Sequence, residues 1–128
     1  MKLLLDTHTF IWWDSNPEKL SQTALSLLSN SDYNLFLSLA SVWEMQIKIQ
    51  LGKLQIRTEL ETLIVEQVSE NNLGLLNIDL SHILTLAHLE NHHRDPFDRL
   101  LIAQARIEKM MLVSCDPIFK AYDCHVVW

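Results

Sequence analysis

The chain has 128 residues, 48% hydrophobic and 20% charged, with a net charge of −6. This suits one domain, residues 1–128, around one core and excludes a disordered chain; no apolar stretch approaches the ~20 residues of a membrane span. The acidity argues against a protein whose main task is to grip nucleic acid by neutralising phosphates.

Met1-Lys2-Leu3-Leu4-Leu5-Asp6 lacks a long apolar region and a small-residue cleavage site. No signal peptide is read there, and a cytoplasmic location is the expectation. Residues 2–5 form a short buried strand. Thr7 to about Asp14 reads as a helix that Ser15-Asn16-Pro17 breaks. Phe10, Ile11, Trp12 and Trp13 make that helix apolar around most of its circumference, so it is buried on several sides or meets another chain. Ser21 caps a second helix through Leu28, and Asn34 to Ser38 is a second strand. A helix follows from Leu39 to Leu51, with Gly52 as its C-cap. Trp43, like Trp12 and Trp13, is expected to pack between elements.

Thr58 and Glu61 form a capping box ahead of a helix reaching about Asn71. Leu73 to Ile78 is a third strand, and Ser81 opens a short helix through His88. Asn91 to Asp95 is a polar loop. Phe97 to Lys109 is a helix, Met111 to Ser114 a fourth strand, residues 117–122 a turn or short helix, and His125 to Trp128 a last strand. Strands alternate with helices throughout, which predicts an α/β fold with a mostly parallel sheet and helices on both faces. Cys115 and Cys124 sit in strand-like context and are expected as reduced, buried thiols.

The sequence excludes several chemistries. Gly52 and Gly74 are the only glycines, so no glycine-rich phosphate loop exists. No Gly-x-Ser-x-Gly elbow exists either. What stands out is four carboxylates. Asp6, Glu44 and Asp116 each follow an apolar strand-like run closely, and Asp98 opens a helix. Ligands of an open parallel sheet bind beyond the carboxyl ends of its strands. Acids gathered there without matching bases point to divalent metal.

Each acid has a structural alternative. Asp6 can cap the helix from Thr7, and Glu44 can pair with Lys48 at i,i+4. Pro96 suits the first helical position, which makes Asp95 the N-cap and therefore structural, and places Asp98 third in the helix; Asp95 can also engage Arg99. Asp116-Pro117 can be an ordinary turn. Ser114 and Thr7 are candidates to orient carboxylates or waters. His88, His92 and His93 raise the thought of zinc, but the helix ends near His88 and a solvated loop is the preferred reading.

The same residues resemble the PIN-domain family, and within it the VapC-like ribonuclease toxins of bacterial toxin–antitoxin pairs. Leu4-Leu5-Asp6-Thr7-His8 is similar to the opening motif. Ser41-Val42-Trp43-Glu44-Met45, with Leu51-Gly52-Lys53-Leu54, is similar to the second. The most specific piece runs from His93-Arg94-Asp95-Pro96-Phe97-Asp98-Arg99 to Ala105 and places the family's catalytic Asp on Asp98. Val113-Ser114-Cys115-Asp116-Pro117 resembles the fourth. The resemblance implies a three-layer α/β/α sandwich, one or two Mg²⁺ or Mn²⁺ ions, RNA phosphodiester hydrolysis, a homodimer and a small antitoxin partner. Asp6, Glu44, Asp98 and Asp116 would be the catalytic metal ligands. Two bound divalent ions would offset four of the six excess negative charges. Lys48, Arg99, Arg94 and Ser114 are candidates for substrate binding, with Lys53, Arg57 and His93 behind them.

Overall fold

A computed structural model describes residues 1–128. Five strands form one wholly parallel sheet: β1 (Lys2–Leu5), β2 (Asn34–Ser38), β3 (Gly74–Leu76), β4 (Met111–Val113) and β5 (Val126–Val127), in the order β3-β2-β1-β4-β5. Six helices connect them: α1 (Thr7–Ser15), α2 (Gln22–Ser29), α3 (Leu39–Gln50), α4 (Leu60–Asn71), α5 (Leu80–Thr85) and α6 (Pro96–Glu108).

The sheet divides the core in two because side chains alternate along each strand. Leu3, Leu5, Leu35, Leu37 and Val113 face one side, where Phe10, Ala24, Leu28, Met45 and Leu63 of α1 to α4 cover them. Leu4 and Leu112 face the other, against Leu101, Ile102 and Ala105 of α6 and Phe119. With both faces covered, the central strand reads as an unbroken apolar run, and Leu3, Leu4 and Leu5 are fully buried. The α/β/α sandwich is therefore the observed fold.

The strand order turns at β1. The chain moves from β1 outward to β2 and β3, then returns to place β4 on the other flank. The carboxyl ends of β1 and β4 thus border the crevice where such sheets hold ligands.

Several sequence expectations need correction. No capping box forms at Thr58. Helix α4 starts at Leu60, which packs on the core, and its N-cap Glu59 makes no side-chain bond. The third strand stops at Leu76 rather than Ile78, because Asn77 turns its carbonyl to the Gln104 amide (3.1 Å) and Asp79 caps α5. The last strand shrinks to two residues. Trp43 is 60% exposed, its ring edge-on to Phe97 at 5.3 Å. Cys115 is free but exposed rather than buried. Much of the apolar excess of α1 is absorbed within the chain. Phe10 is buried, Trp12 and Trp13 pack on the core, and Trp128 lies 5.9 Å from Trp12. No helix is long and apolar enough to cross a membrane.

Candidate metal centre

Asp6 leaves the end of β1 and does two things at once. Its Oδ1 accepts the Thr9 N–H (2.8 Å) and caps α1, while Oδ2 accepts the Ser114 hydroxyl (2.5 Å) from the end of β4. The capping reading of this residue holds for one oxygen, while the other is held by Ser114. Ser114 Oγ also accepts the Asp116 N–H (3.1 Å), so the hydroxyl ties two acids together and its only proton is committed to Asp6.

Glu44 is buried on α3. Thr7 donates to its Oε1 (2.7 Å) and Lys48 to its Oε2 (2.8 Å). The expected i,i+4 pair with Lys48 therefore forms, and it forms inside the cluster. The bond to Glu44 chiefly holds the Lys48 ammonium above its ordinary pKa. Asp95 caps α6, accepting from the N–H groups of Phe97 (2.8 Å) and Asp98 (3.4 Å), with Pro96 at the first helical position. This releases the Asp98 side chain toward the crevice. Asp116 caps the 3₁₀ turn Pro117–Ala121 through Oδ1 and presents Oδ2.

The electrostatics are uncompensated. Burial, then repulsion from Asp95, Glu44, Asp6 and Asp116, pushes the Asp98 carboxyl up to about 8. Burial likewise raises Asp6, against the pull of hydrogen bonds from Ser114 and Thr9. The four carboxylates Asp6, Glu44, Asp98 and Asp116 thus lie near one another, with Asp95 beside them.

Two residues differ from expectation. His93, read as loop, sits in the cluster: its Nε2 lies 3.0 Å from Asp98 Oδ2 and 3.4 Å from Asp116 Oδ2. One ligand atom from each of these three side chains lies within 4.8 Å of the others. His88 and His92 do not join them, so no histidine triad exists. Arg99, expected at the substrate, instead donates to backbone carbonyls of Glu90 (2.8 Å) and Leu89 (3.4 Å) and to Tyr122 Oη (3.3 Å). It makes no side-chain bond to Asp95. Arg57 is also withdrawn, held between Asp14 and Glu66. The sequence signal for His93 was its place five residues before Asp98, within the segment most like the family motif.

Two clefts adjoin the acids. One is lined by Glu44, Lys48, Arg94 and Phe97, the other by Thr7, His8, Trp12, Lys19, Lys48 and Lys53. Lys48 borders both. Arg94, Lys19 and Lys53 form no ion pair, so their charge is available to an anionic strand.

The family description "PIN domain" matches residues 3–123. This chain belongs to the PIN-domain family. Solved structures extend the likeness over the whole PIN fold. VapBC2 of Rickettsia felis, bound to a promoter DNA fragment, superposes with a TM-score of 0.72 at 14% identity, covering 99% of this chain and 98% of that one. FitAcB of Neisseria gonorrhoeae gives 0.62 at 16%, covering 98% and 96%. VapBC-5 of Mycobacterium tuberculosis, a toxin–antitoxin system, gives 0.59 at 18%, covering 98% and 95%. No curated protein matches the sequence.

Proposed function

We propose that this PIN-domain protein is a divalent-metal-dependent endoribonuclease and the toxin of a toxin–antitoxin pair. The observation that carries the reading is the crowd of carboxylates at the sheet's switch point, with Asp98 pushed up to about 8 by burial and its acidic neighbours. Such a cluster calls for a cation.

The donor set fits Mg²⁺ or Mn²⁺, which take hard oxygen ligands. Asp6 and Asp98 are the central ligands. Asp116 completes the set, and Glu44, whose two oxygens already accept from Thr7 and Lys48, acts directly or through water. When bound, one or two such ions supply an activated water and stabilise the leaving oxygen of an in-line displacement. The chain's own residues prepare that chemistry. Ser114 orients Asp6, Thr7 and Lys48 orient Glu44, and Asp95 turns α6 so that Asp98 faces inward. Lys48 and Arg94 line the cleft beside the acids and hold the RNA backbone, aided by Lys53 and Lys19 in the adjoining one. This local cationic lining allows binding despite the net charge of −6.

An antitoxin partner and a homodimer belong to the same reading. The neighbouring structures that are toxin–antitoxin complexes support the first. Exposed Leu80, Ile83 and Leu84 on α5 supply an apolar face for protein contact.

The test is cleavage of transfer and ribosomal RNAs by purified protein in Mg²⁺, Mn²⁺ or EDTA, beside Asp98→Asn. The expected result is discrete cuts that need metal and fall by about 10³-fold or more in the variant. Cuts that persist equally in the variant would refute the assignment of Asp98. No cutting by folded, partner-free protein would favour a binding module of the same fold.

A further inference from the structure

We propose that His93 is the positioning residue of the Asp98–Asp116 pair: its Nε2–H, seated between the two carboxylates, fixes which oxygens they turn to the cation. The inference rests on the metal-dependent reading above and adds to it a residue that the four acids do not include.

The tautomer follows from the backbone. His93 Nδ1 accepts the Asp95 N–H at 3.2 Å, so the single proton of a neutral ring is on Nε2. An Nε2 bearing a proton is a donor to carboxylates rather than a metal ligand. It lies 3.0 Å from Asp98 Oδ2 and 3.4 Å from Asp116 Oδ2, yet neither oxygen lies along the N–H bond. The donor is buried beside both carboxylates and makes no hydrogen bond as placed. No other protein donor reaches the Asp98 side chain, whereas Asp6, Glu44 and Asp116 each have at least one further donor.

The mounting of the ring points the same way. The N–H groups of His92 and His93 both donate to Tyr122 Oη, at 3.0 and 2.7 Å. Arg99 donates to the same oxygen and to the carbonyls of Leu89 and Glu90. Arg99 follows Asp98 directly on α6, and Tyr122 ends the 3₁₀ turn that Asp116 begins. The two elements that carry the acids therefore also clamp the loop that carries the histidine. Phe119 walls the ring on a further side at 5.8 Å between centroids. Any shift of one acid-bearing element is passed to the imidazole, and through it to the other.

The experiment measures Mn²⁺ binding to the full-length chain, by loss of the free-ion electron paramagnetic resonance signal, for wild type, His93→Leu and His93→Gln. Leucine fills the space without a donor, and glutamine restores an N–H near the Nε2 position. Removing an outer-shell partner weakens metal binding by roughly 10–100-fold. The expected result is an affinity loss of at least about tenfold in His93→Leu and recovery to within about threefold of wild type in His93→Gln. Wild-type affinity in His93→Leu would overturn the proposal. So would an equal loss in both variants, which would mean that ring shape alone matters. If His93→Leu does not fold, Tyr122→Phe serves: it keeps the ring but removes the Oη that holds its backbone. Weakened Mn²⁺ binding would support the proposal and unchanged binding would overturn it. Wild-type protein that binds no Mn²⁺ would sink the metal-dependent reading itself, and that result is distinct from a wild type that binds and a leucine variant that binds equally.

Discussion

Two histidine–carboxylate clusters lie at different places in this fold, and they are built to opposite ends. In the first, His82 is fully buried between α5 and α6. Its Nδ1 accepts the Asp79 N–H (3.0 Å) and lies 3.3 Å from the Gln104 amide nitrogen, while its Nε2–H meets Glu108 (3.1 Å). Both ring nitrogens are engaged, so this cluster is complete as it stands. In the second, His93 faces Asp98 and Asp116 with its donor uncommitted, and Asp6, Glu44 and Asp95 add more negative charge. Each gathers one histidine and two carboxylates whose ligand atoms lie within 4.8 Å of one another. What separates the two is the charge balance: the first pairs its histidine with a single carboxylate, and the second gathers several carboxylates around one buried donor.

The largest effect that sharpens this contrast is expected at His82. His82→Leu strands the Asp79 N–H and the Glu108 carboxylate and should cost about 2–4 kcal/mol by urea unfolding, with Mn²⁺ affinity unchanged. A loss of metal binding without loss of stability would reverse the roles given to the two clusters. Asp98→Asn should do the opposite and stabilise the metal-free protein. A carboxyl whose folded pKa is raised favours folding only while protonated. Its contribution is complete below its unfolded value near 4 and disappears as pH rises toward about 8. At pH 8 the variant should therefore gain about 2 kcal/mol, roughly 6–10 °C in Tm, and near pH 4 the gain should vanish. Wild-type Tm in EDTA should fall over that range, and Mn²⁺ should flatten the fall. A pH-independent difference between wild type and variant would show that Asp98 is not buried among like charges.

Glu108→Gln keeps an acceptor for His82, so its cost should stay under about 1 kcal/mol in the same unfolding assay. The smallest change is at Lys109, which ends α6 with φ of 55°. Lys109→Gly relieves that left-handed backbone and should add about 0.5–1 kcal/mol while leaving both clusters untouched. A shift in Mn²⁺ affinity there would show that the end of α6 is coupled to its start.

The sequence carried the parts of the site that are set locally. Asp6 directly follows β1, Asp98 lies one turn inside a Pro-initiated helix, and Asp116 precedes a proline turn; each is placed by its neighbours in the chain. Glu44 was legible because it follows the apolar run Leu35-Phe36-Leu37, and the pair with Lys48 that helical spacing allows forms as well. The residues misread are those placed by distant partners. Asn91-His92-His93 is polar and reads as solvated loop, and Tyr122, 29 residues beyond His93, pulls it inward together with Arg99. Arg99 carries nothing in its local sequence to show that its guanidinium serves loop carbonyls rather than a substrate. The sandwich was legible from alternating elements, whereas the strand order, and with it the switch point between β1 and β4, came only from the structure.

The bond from Ser114 to Asp6 spans 108 positions. Chains are synthesised from the N-terminus at about 5–20 residues per second, so the first acid of the cluster is made seconds before the hydroxyl that orients it. Tyr122, which draws His93 into place, is later still. Until residues 114–122 have been added, the growing polypeptide holds the acids of its centre unassembled. A nascent chain that lacks those later residues carries the acids without the centre they form.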